Sequence, residues 1–243
     1  MRVLVFQHLD VEHPGIFRDL MARSGWRWDV VELDRGEAIP DDACGGGGRY
    51  DLLLVMGGPM DVWEEQRHPW LVDEKIAIRR WVAELQKPYV GICLGHQLLA
   101  AALGGQVGLM ARPEVGITTV SLTKGGRADP LFADLAGEFA CVQWHGAEVT
   151  ALPPGATVLA HNDDCPVQAF RVGRSAYGLQ YHVEITRSTA AEWGAVPEYD
   201  RALCAVMGDD ALPDFSRLLE ERLPEFEAMA TTMFRNLTAI VEK

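Results

Sequence analysis

A cysteine framed by two glycines is the pattern in this chain with the most obvious chemistry. Residues 91–95 read GICLG, with an apolar segment before them at 88–90 and an apolar pattern of helical spacing after them at 96–103. Two glycines permit a turn too tight for a Cβ atom, and G-x-C-x-G between a strand and a helix is the cysteine form of the nucleophile elbow. The positive end of the helix dipole would favour a thiolate on Cys93. We therefore predict that Cys93 is a nucleophile.

A thiol nucleophile requires a base, and the base requires a group that orients it. Residues 177–184, YGLQYHVE, have the composition of a strand, in which residues two apart share a face. His182 and Glu184 would then project together, with Val183 pointing away. The carboxylate could accept a hydrogen bond from one imidazole nitrogen while the other nitrogen faces the sulfur.

A pair of glycines supplies a third element of acyl-transfer chemistry. Residues 51–56, DLLLVM, predict a strand that ends at Gly57, Gly58 and Pro59. Adjacent glycines at the carboxyl edge of a strand let backbone N–H groups approach a substrate closely, as an oxyanion hole requires. A simple turn is the alternative interpretation, because Gly-Pro pairs are common in turns.

In this order and spacing, the three segments resemble the class I (triad-type) glutamine amidotransferase family. Its signatures are a Gly-Gly-Pro loop, a G-I-C-x-G-x-Q elbow and a G-x-Q-[FY]-H-x-E strand end, and the resemblance covers residues 1 to about 185. It implies that Cys93 is the nucleophile, His182 the general base and acid, and Glu184 the orienting carboxylate. The other residues to which the resemblance assigns a role are Gly58 and Leu94 as backbone oxyanion donors and Gly57 and Gln97 on the substrate side.

Two departures from the family pattern leave the expected acyl-transfer chemistry intact, and the second puts the acceptor in doubt. Val183 stands where the family usually has proline, and residues 143–149, QWHGAEV, have Ala147 in place of the aspartate of a His-Gly-Asp motif common in synthetase-linked members. The Trp-His form resembles the free-standing branch of the family, which includes gamma-glutamyl peptidases. Trp144 and His145 occupy the family's substrate-side motif, so they either bind substrate or shape the site.

The order of elements around these motifs predicts an α/β fold. Strand and helix patterns alternate through residues 3–103, including a helix over 69–86, which indicates a flavodoxin-like, doubly wound, largely parallel sheet with helices on both faces. Ligands bind beyond the carboxyl ends of such strands, where Gly58 and Cys93 fall. Short strands between residues 118 and 181, the last at 176–181, predict an antiparallel extension that brings His182 beside Cys93.

The last quarter of the chain predicts helices broken by Pro197 and Pro213. The final helix, from about Asp214, carries apolar residues at helical spacing that face either the core or a second copy of the chain in a homo-oligomer. We expect a single domain over residues 1–243, with the catalytic part at about 1–185 and C-terminal helices at about 186–243.

Composition excludes several classes of function. A net charge of −13 argues against nucleic acid as a partner, and no apolar stretch approaches the roughly 18 residues that span a membrane. The five cysteines (Cys44, Cys93, Cys141, Cys165 and Cys204) lack metal-binding spacing, and no signal peptide is evident, so we expect reduced thiols in the cytoplasm and neither metal nor cofactor. The glycine run at 45–48 predicts a surface loop rather than a phosphate-binding one. The default prediction for His8, His13, His68 and His161 is a surface or loop position.

The chemistry that these features favour is hydrolysis of a γ-glutamyl amide through a thioester on Cys93, with glutamine or a γ-glutamyl peptide as the small-molecule substrate. About 60 residues follow Glu184, too few for a synthetase domain, so an acceptor enzyme would be a separate subunit. Two alternatives stay open. One is a catalytically silent binding or regulatory module on the same fold. The other is a different intracellular cysteine hydrolase, against which Gln97 and the His-x-Glu pair weigh.

Overall fold

A nine-stranded mixed sheet forms the centre of the structure, a computed structural model that describes residues 1–41 and 48–242. Cys44 and all but the last residue of the glycine run at 45–48 lie outside the described residues. The strands are, in chain order, β1 (Arg2–Gln7), β2 (Arg27–Glu32), β3 (Leu52–Val55), β4 (Tyr89–Ile92), β5 (Gln106–Leu122), β6 (Glu138–Ala151), β7 (Ala156–His161), β8 (Ala169–Val172) and β9 (Ala176–Leu179). Their order across the sheet is β2-β1-β3-β4-β9-β8-β7-β5-β6.

The sheet has a parallel half and an antiparallel half. Strands β2, β1, β3, β4 and β9 pair in parallel. Strands β8, β7, β5 and β6 continue from β9 with antiparallel pairing. The chain therefore has the predicted α/β character and the predicted antiparallel extension.

Helices pack on both faces of the sheet. Their bounds inside the described residues are α1 (Ile16–Arg23), α2 (Trp70–Arg79), α3 (Leu94–Ala102), α4 (Lys124–Arg127), α5 (Thr189–Gly194), α6 (Pro197–Met207) and α7 (Ala211–Val241). Alternate residues of β1 belong to different core clusters: Val3 and Val5 pack with α1 and the C-terminal helices, whereas Leu4 and Phe6 pack with α2 and α3. This alternation explains why the central strands are apolar along their whole length. No helix among the described residues combines the length and apolar character needed to cross a membrane.

The last strand joins the two halves of the sheet. It lies in the predicted antiparallel extension through its pairing with β8, and on its other side it pairs in parallel with β4, with Gly178 beside Gly91. A short apolar run does not encode its direction, which is set here by insertion between β4 and β8. Gly178 is required because a Cβ atom there would lie 2.8 Å from His96 Nδ1. The carboxyl ends of β4 and β9 consequently meet at one edge of the sheet.

Three other elements differ in extent. The helix predicted over 69–86 is α-helical only to Arg79 and continues as a π-helical segment, Arg80–Glu84. Strands β5 and β6 are much longer than the short strands predicted between residues 118 and 181. Their outer part contains Gly108 and Pro113, which disfavour strands, and it forms because the two strands pair with each other across a register shift.

The C-terminal helices are separate near both predicted prolines, with breaks at residues 195–196 and 208–210. Pro197 is the first residue of α6, and Pro213 lies in the first turn of α7, where the missing N–H would have had no helical partner. The apolar stripe of α7 is buried, so it faces the core rather than a second copy of the chain. Its buried members include Phe215, Leu219, Leu223, Phe226, Met229, Met233 and Leu237.

Candidate active site

The turn between β4 and α3 holds Cys93 in a strained backbone conformation. Cys93 has φ 52° and ψ −103° and caps the N-terminus of α3, while its N–H donates to Leu179 O at 2.8 Å. A Cβ atom on Gly91 would lie 2.4 Å from the Gly95 carbonyl, and one on Gly95 would lie 2.3 Å from Val55 O. Both glycines are therefore required by packing. A non-glycine residue with positive φ costs about 1–3 kcal/mol and is most often found at functional sites.

His182 and Glu184 form a buried hydrogen-bonded pair beside Cys93. Nδ1 of His182 lies 2.6 Å from Glu184 Oε1, and Cys93 lies close enough to the ring to help raise the pKa of His182. The pair does not arise from strand alternation, because β9 ends at Leu179. Instead His182 N donates to Val142 O at 2.9 Å, and Val183 N donates to Glu184 Oε2 at 2.9 Å, which turns the carboxylate towards the ring. The Val183 side chain packs into the core.

The electrostatics of this pair favour a protonated imidazole. Burial by itself lowers the pKa of His182, but the Glu184 carboxylate and the interactions with Cys93 outweigh burial, so the pKa lies well above its ordinary value of 6.5. An imidazolium next to a sulfur at a helix N-terminus is the arrangement that activates a thiolate nucleophile.

The glycine loop after β3 lies against the nucleophile turn. A Cβ atom on Gly58 would lie 2.6 Å from Met60 Sδ and 3.0 Å from Leu94 Cδ2, so a larger residue would force these two side chains to move. Gly58 and Leu94 line the same pocket as Cys93. Gly57 is buried behind the loop: its carbonyl accepts a hydrogen bond from His8, and a Cβ atom there would lie 2.4 Å from Glu12 Oε2. Gly57 is absent from the described residues that line the pocket, so the substrate contact predicted for it stays a prediction.

A pocket of about 180 Å³ opens beside Cys93, between the outer part of the β5–β6 ribbon and α6. Its described lining residues are Gly58, Pro59, Met60, Asp61, Cys93, Leu94, Gln97, Pro113, Val115, Trp144, His145, Gly146, Ala147, Glu198, Tyr199 and Ala202. Of the predicted substrate-side residues, Gln97, Trp144 and His145 are thus brought together here.

Hydrogen bonds fix the orientation of two of these side chains. Nε2 of Gln97 donates to Ala147 O at 3.0 Å and to Gln180 Oε1 at 3.1 Å, which leaves the Gln97 amide oxygen as the group that could meet a ligand. Nδ1 of His145 donates to the same Ala147 carbonyl at 3.0 Å, and its Nε2 lies 3.1 Å from Glu114 Oε2. Among the described residues Nε2 has no hydrogen-bond partner, so whether His145 binds substrate or shapes the pocket stays a prediction.

Residues of the C-terminal helices also contribute to the site. These residues lie beyond residue 185, where the catalytic part is predicted to end. Trp193 stacks edge-on against the His182 ring with the centroids 4.5 Å apart, and Tyr199 lines the pocket. The Tyr199 hydroxyl donates to Glu12 Oε1 at 2.6 Å. One side-chain atom from each of Glu12, His182 and Glu184 lies within 4.8 Å of the other two. A second carboxyl group therefore stands beside the His182–Glu184 pair.

Burial is the main influence on this second carboxyl group. It raises the pKa of Glu12 above the ordinary 4.5, against the opposing effects of the His182 charge and the Tyr199 hydrogen bond. Among the described residues, Glu12 Oε2 has no hydrogen-bond partner. Nothing in the local sequence around Glu12 predicts this position.

Comparison with known proteins places this geometry in a family. Residues 16–193 match the family described as glutamine amidotransferase class-I. The chain belongs to this family. It is 30% identical over 195 residues to the glutamine amidotransferase-like protein YfeJ of Salmonella typhimurium, and the match covers 76% of this chain and 77% of that protein.

Other members of the class-I family differ in length and arrangement. The chain is 40% identical over 139 residues to the GMP synthase of Leifsonia xyli but spans only 26% of its length. It is 34% identical to a glutamine-hydrolyzing GMP synthase subunit from Ignicoccus hospitalis, of which it spans 69%. Among solved structures, a glutamine amidotransferase from Thermotoga maritima superposes with a TM-score of 0.85 at 26% identity, covering 100% of this chain and 99% of that one.

One histidine of this class-I domain does not lie where the sequence predicts. The sequence predicts a surface or loop position for His8, but the residue is fully buried at the end of β1. Its Nδ1 donates to Gly57 O at 2.8 Å, and its Nε2 lies 2.9 Å from Oε1 of the equally buried Glu74 on α2. No local pattern signals this pair, because the two residues are 66 positions apart.

The other described thiols lie away from the pocket. Burial raises the pKa of Cys141 well above its usual value and that of Cys165 to about 12. The pKa of Cys204 is also raised, by partial desolvation and then by neighbouring aspartates such as Asp200. Within the described part of the chain, Cys93 is the cysteine that lines the pocket.

Proposed function

We propose that this chain hydrolyses γ-glutamyl amides through a thioester on Cys93. The observation that carries the proposal is the series Cys93, His182 and Glu184, in which His182 is hydrogen-bonded to Glu184 and lies beside Cys93, at the edge of a pocket whose wall includes Gly58 and Leu94. Such a series needs a carbonyl substrate, a leaving group that accepts a proton, and donors for the developing oxyanion.

The residues support a complete acyl-transfer cycle. The Cys93 thiolate attacks the γ-carbonyl carbon, and the N–H groups of Gly58 and Leu94 stabilise the oxyanion. Leu94 begins α3, so its N–H has no partner within the helix. The imidazolium of His182 then gives its proton to the departing nitrogen, and the C–N bond breaks to leave the thioester. Neutral His182 next removes a proton from water, whose attack releases the γ-carboxylate and the thiolate.

The shape of the pocket bears on the substrate. The Gln97 amide oxygen is an acceptor suited to an α-ammonium group. Pro113, Val115 and Trp144 offer apolar surface beyond it. Ala147 contributes no carboxylate at the position of the family's His-Gly-Asp aspartate. These features favour a γ-glutamyl peptide, with an amine leaving group larger than ammonia, over glutamine.

A second candidate function is supply of ammonia to a separate synthetase subunit. Several relatives are named as subunits of a glutamine-hydrolyzing GMP synthase, and their names favour this function. It uses the same acyl chemistry, with glutamine as the substrate and a partner protein that contains the acceptor site.

Steady-state kinetics distinguishes these functions. We expect purified protein to hydrolyse glutamine, glutathione and a γ-glutamyl dipeptide, with the larger kcat/KM for the peptides, and Cys93→Ala to abolish all three activities. A clear advantage for glutamine would favour the ammonia-supplying function. Absence of hydrolysis of all three substrates by folded protein would refute the proposal and favour a binding module.

A further inference from the structure

The peptide group between Gly57 and Gly58 faces two different environments. Its carbonyl oxygen accepts the 2.8 Å hydrogen bond from His8 Nδ1 in the interior. Its N–H belongs to Gly58, which lines the pocket with Cys93. No peptide bond among the described residues is cis, and in a trans peptide the carbonyl and the N–H point in opposite directions. A hydrogen bond that holds the carbonyl inward therefore turns the N–H towards the pocket.

His8 is itself held by a carboxylate. A carbonyl oxygen only accepts hydrogen bonds, so Nδ1 of His8 carries a proton, and Nε2 faces Glu74 Oε1 at 2.9 Å. Both side chains have 0% exposure. Burial alone lowers the pKa of His8, but the charge and hydrogen bond of Glu74 outweigh it, with smaller contributions from Gly57 and Glu12, so the pKa is raised above 6.5. The raised pKa favours the imidazolium form of His8 beside the Glu74 carboxylate.

The neighbours of this pair restrict its movement. The His8 ring stacks on Trp70 with the centroids 5.4 Å apart. A Cβ atom on Gly58 would lie 3.0 Å from His8 Cβ, so the loop packs directly on this residue. The Tyr89 hydroxyl group lies close enough to Glu74 for the carboxylate to add to the effect of burial in raising the Tyr89 pKa.

We propose that His8 and Glu74 are positioning residues that hold the Gly57–Gly58 peptide so that its N–H is presented to the substrate oxyanion. The inference rests on the proposed function, because it assigns a support to the oxyanion donor used there. The imidazolium also polarises the peptide through its carbonyl and thereby strengthens the N–H as a donor.

A donor series tests the role of His8. Glu74→Gln provides a neutral background in which a neutral His8 still donates from Nδ1, because the glutamine amide can donate to Nε2. In that background His8→Phe keeps the ring but loses the donor, and we expect kcat to fall by about 100-fold, the usual effect of losing one oxyanion donor. His8→Asn places an amide donor near Nδ1 and should recover most of kcat. Equal losses for the phenylalanine and asparagine variants, with both folded, would overturn the proposal.

The pH dependence of Glu74→Gln gives a readout that a packing defect would not change. In the native pair, deprotonated His8 would keep its remaining proton on Nε2, because the bond to a carboxylate is the stronger one, and Nδ1 would then repel the Gly57 carbonyl. Native kcat should therefore fall as pH rises through the raised pKa of His8. Glu74→Gln should not show this loss. The ratio of its kcat to the native kcat should therefore rise by more than about threefold between pH 7 and pH 10. A ratio that stays constant would contradict the proposal.

Two controls separate this inference from the proposed function. His68→Gln alters the other histidine that contacts Trp70 and has no bond to the glycine loop, so kcat should stay native. NMR of the His8 ring nitrogens needs no activity: both should be protonated at neutral pH. If both His8 ring nitrogens are protonated but the protein hydrolyses no γ-glutamyl compound, only the proposed function is refuted. If the His8 ring is neutral in an active enzyme, only the positioning role of His8 and Glu74 is refuted.

Discussion

Replacing Glu184 with glutamine removes one oxygen from an interaction that uses two. In the native site Oε1 accepts from His182 Nδ1 at 2.6 Å and Oε2 accepts from Val183 N at 2.9 Å. A glutamine has a single oxygen and an amide that donates. Val183 N–H can only donate, so the oxygen will turn to it and the amide will face the histidine. His182 must then carry its proton on the other nitrogen, which can no longer accept a proton from Cys93.

The size of the effect follows from the cost of the competent orientation. Turning the glutamine oxygen to His182 leaves the buried Val183 N–H unpaired, which costs about 1–3 kcal/mol. At 1.36 kcal/mol per tenfold, the competent form is about 5-fold to 150-fold less populated. We expect kcat/KM of Glu184→Gln to fall within that range, well short of the complete loss in Cys93→Ala. The assay measures kcat/KM for hydrolysis of a γ-glutamyl peptide from the rate at which glutamate is released.

A second substitution makes this reasoning refutable. Proline at position 183, the usual residue of the family, has no N–H, so Val183→Pro/Glu184→Gln should regain activity relative to Glu184→Gln. Val183→Ala/Glu184→Gln keeps the N–H and should not. Equal recovery in both double variants, or a Glu184→Gln enzyme as inactive as Cys93→Ala, would show that competition for the oxygen is not the cause.

Two other properties can be predicted. Substoichiometric iodoacetamide should modify Cys93 first, as peptide mapping would show. Cys93 lies beside the His182 imidazolium, whereas the pKa values of Cys141, Cys165 and Cys204 are raised. Initial labelling of Cys204 would contradict the nucleophile assignment. Because burial raises the pKa of Glu12 above 4.5, the folded state holds this proton more tightly than the unfolded state, and stability is lost as pH rises from 4.5 through the raised value. Glu12→Gln removes this loss, so its Tm should increase relative to the native protein as pH rises from 4.5 to 8, and an unchanged difference would refute the sign.

The parts of the site that can be predicted from the sequence are those encoded by local patterns. Cys93 between Gly91 and Gly95 is such a pattern, since both glycines are dictated by contacts within one strand–turn–helix unit and its neighbour β3. The alternation of strands and helices likewise predicts the α/β fold. The parallel pairing of β9 with β4 is not predicted, because four apolar residues fit either direction and the choice depends on the strands on each side.

The residues that sequence patterns miss act through contacts distant in sequence. Glu12 meets Tyr199 across 187 positions, and His8 meets Glu74 across 66. A single glutamate or histidine in a polar loop gives no periodic signal, and its burial depends on elements that fold elsewhere. The same holds for Trp193, which resembles any apolar residue of a C-terminal helix.

The bond between Glu12 and Tyr199 has a consequence for when the pocket beside Cys93 forms. One end of the chain supplies a group beside the catalytic histidine, and the other end supplies the wall of the pocket. Chains are made from the amino end, and contacts between distant segments form late because long loops must close first. A growing chain that already contains Cys93 and His182 still lacks the pocket wall until the residues of α6 have been synthesised and folded. The pocket beside Cys93 therefore forms only after two segments distant in sequence have packed together.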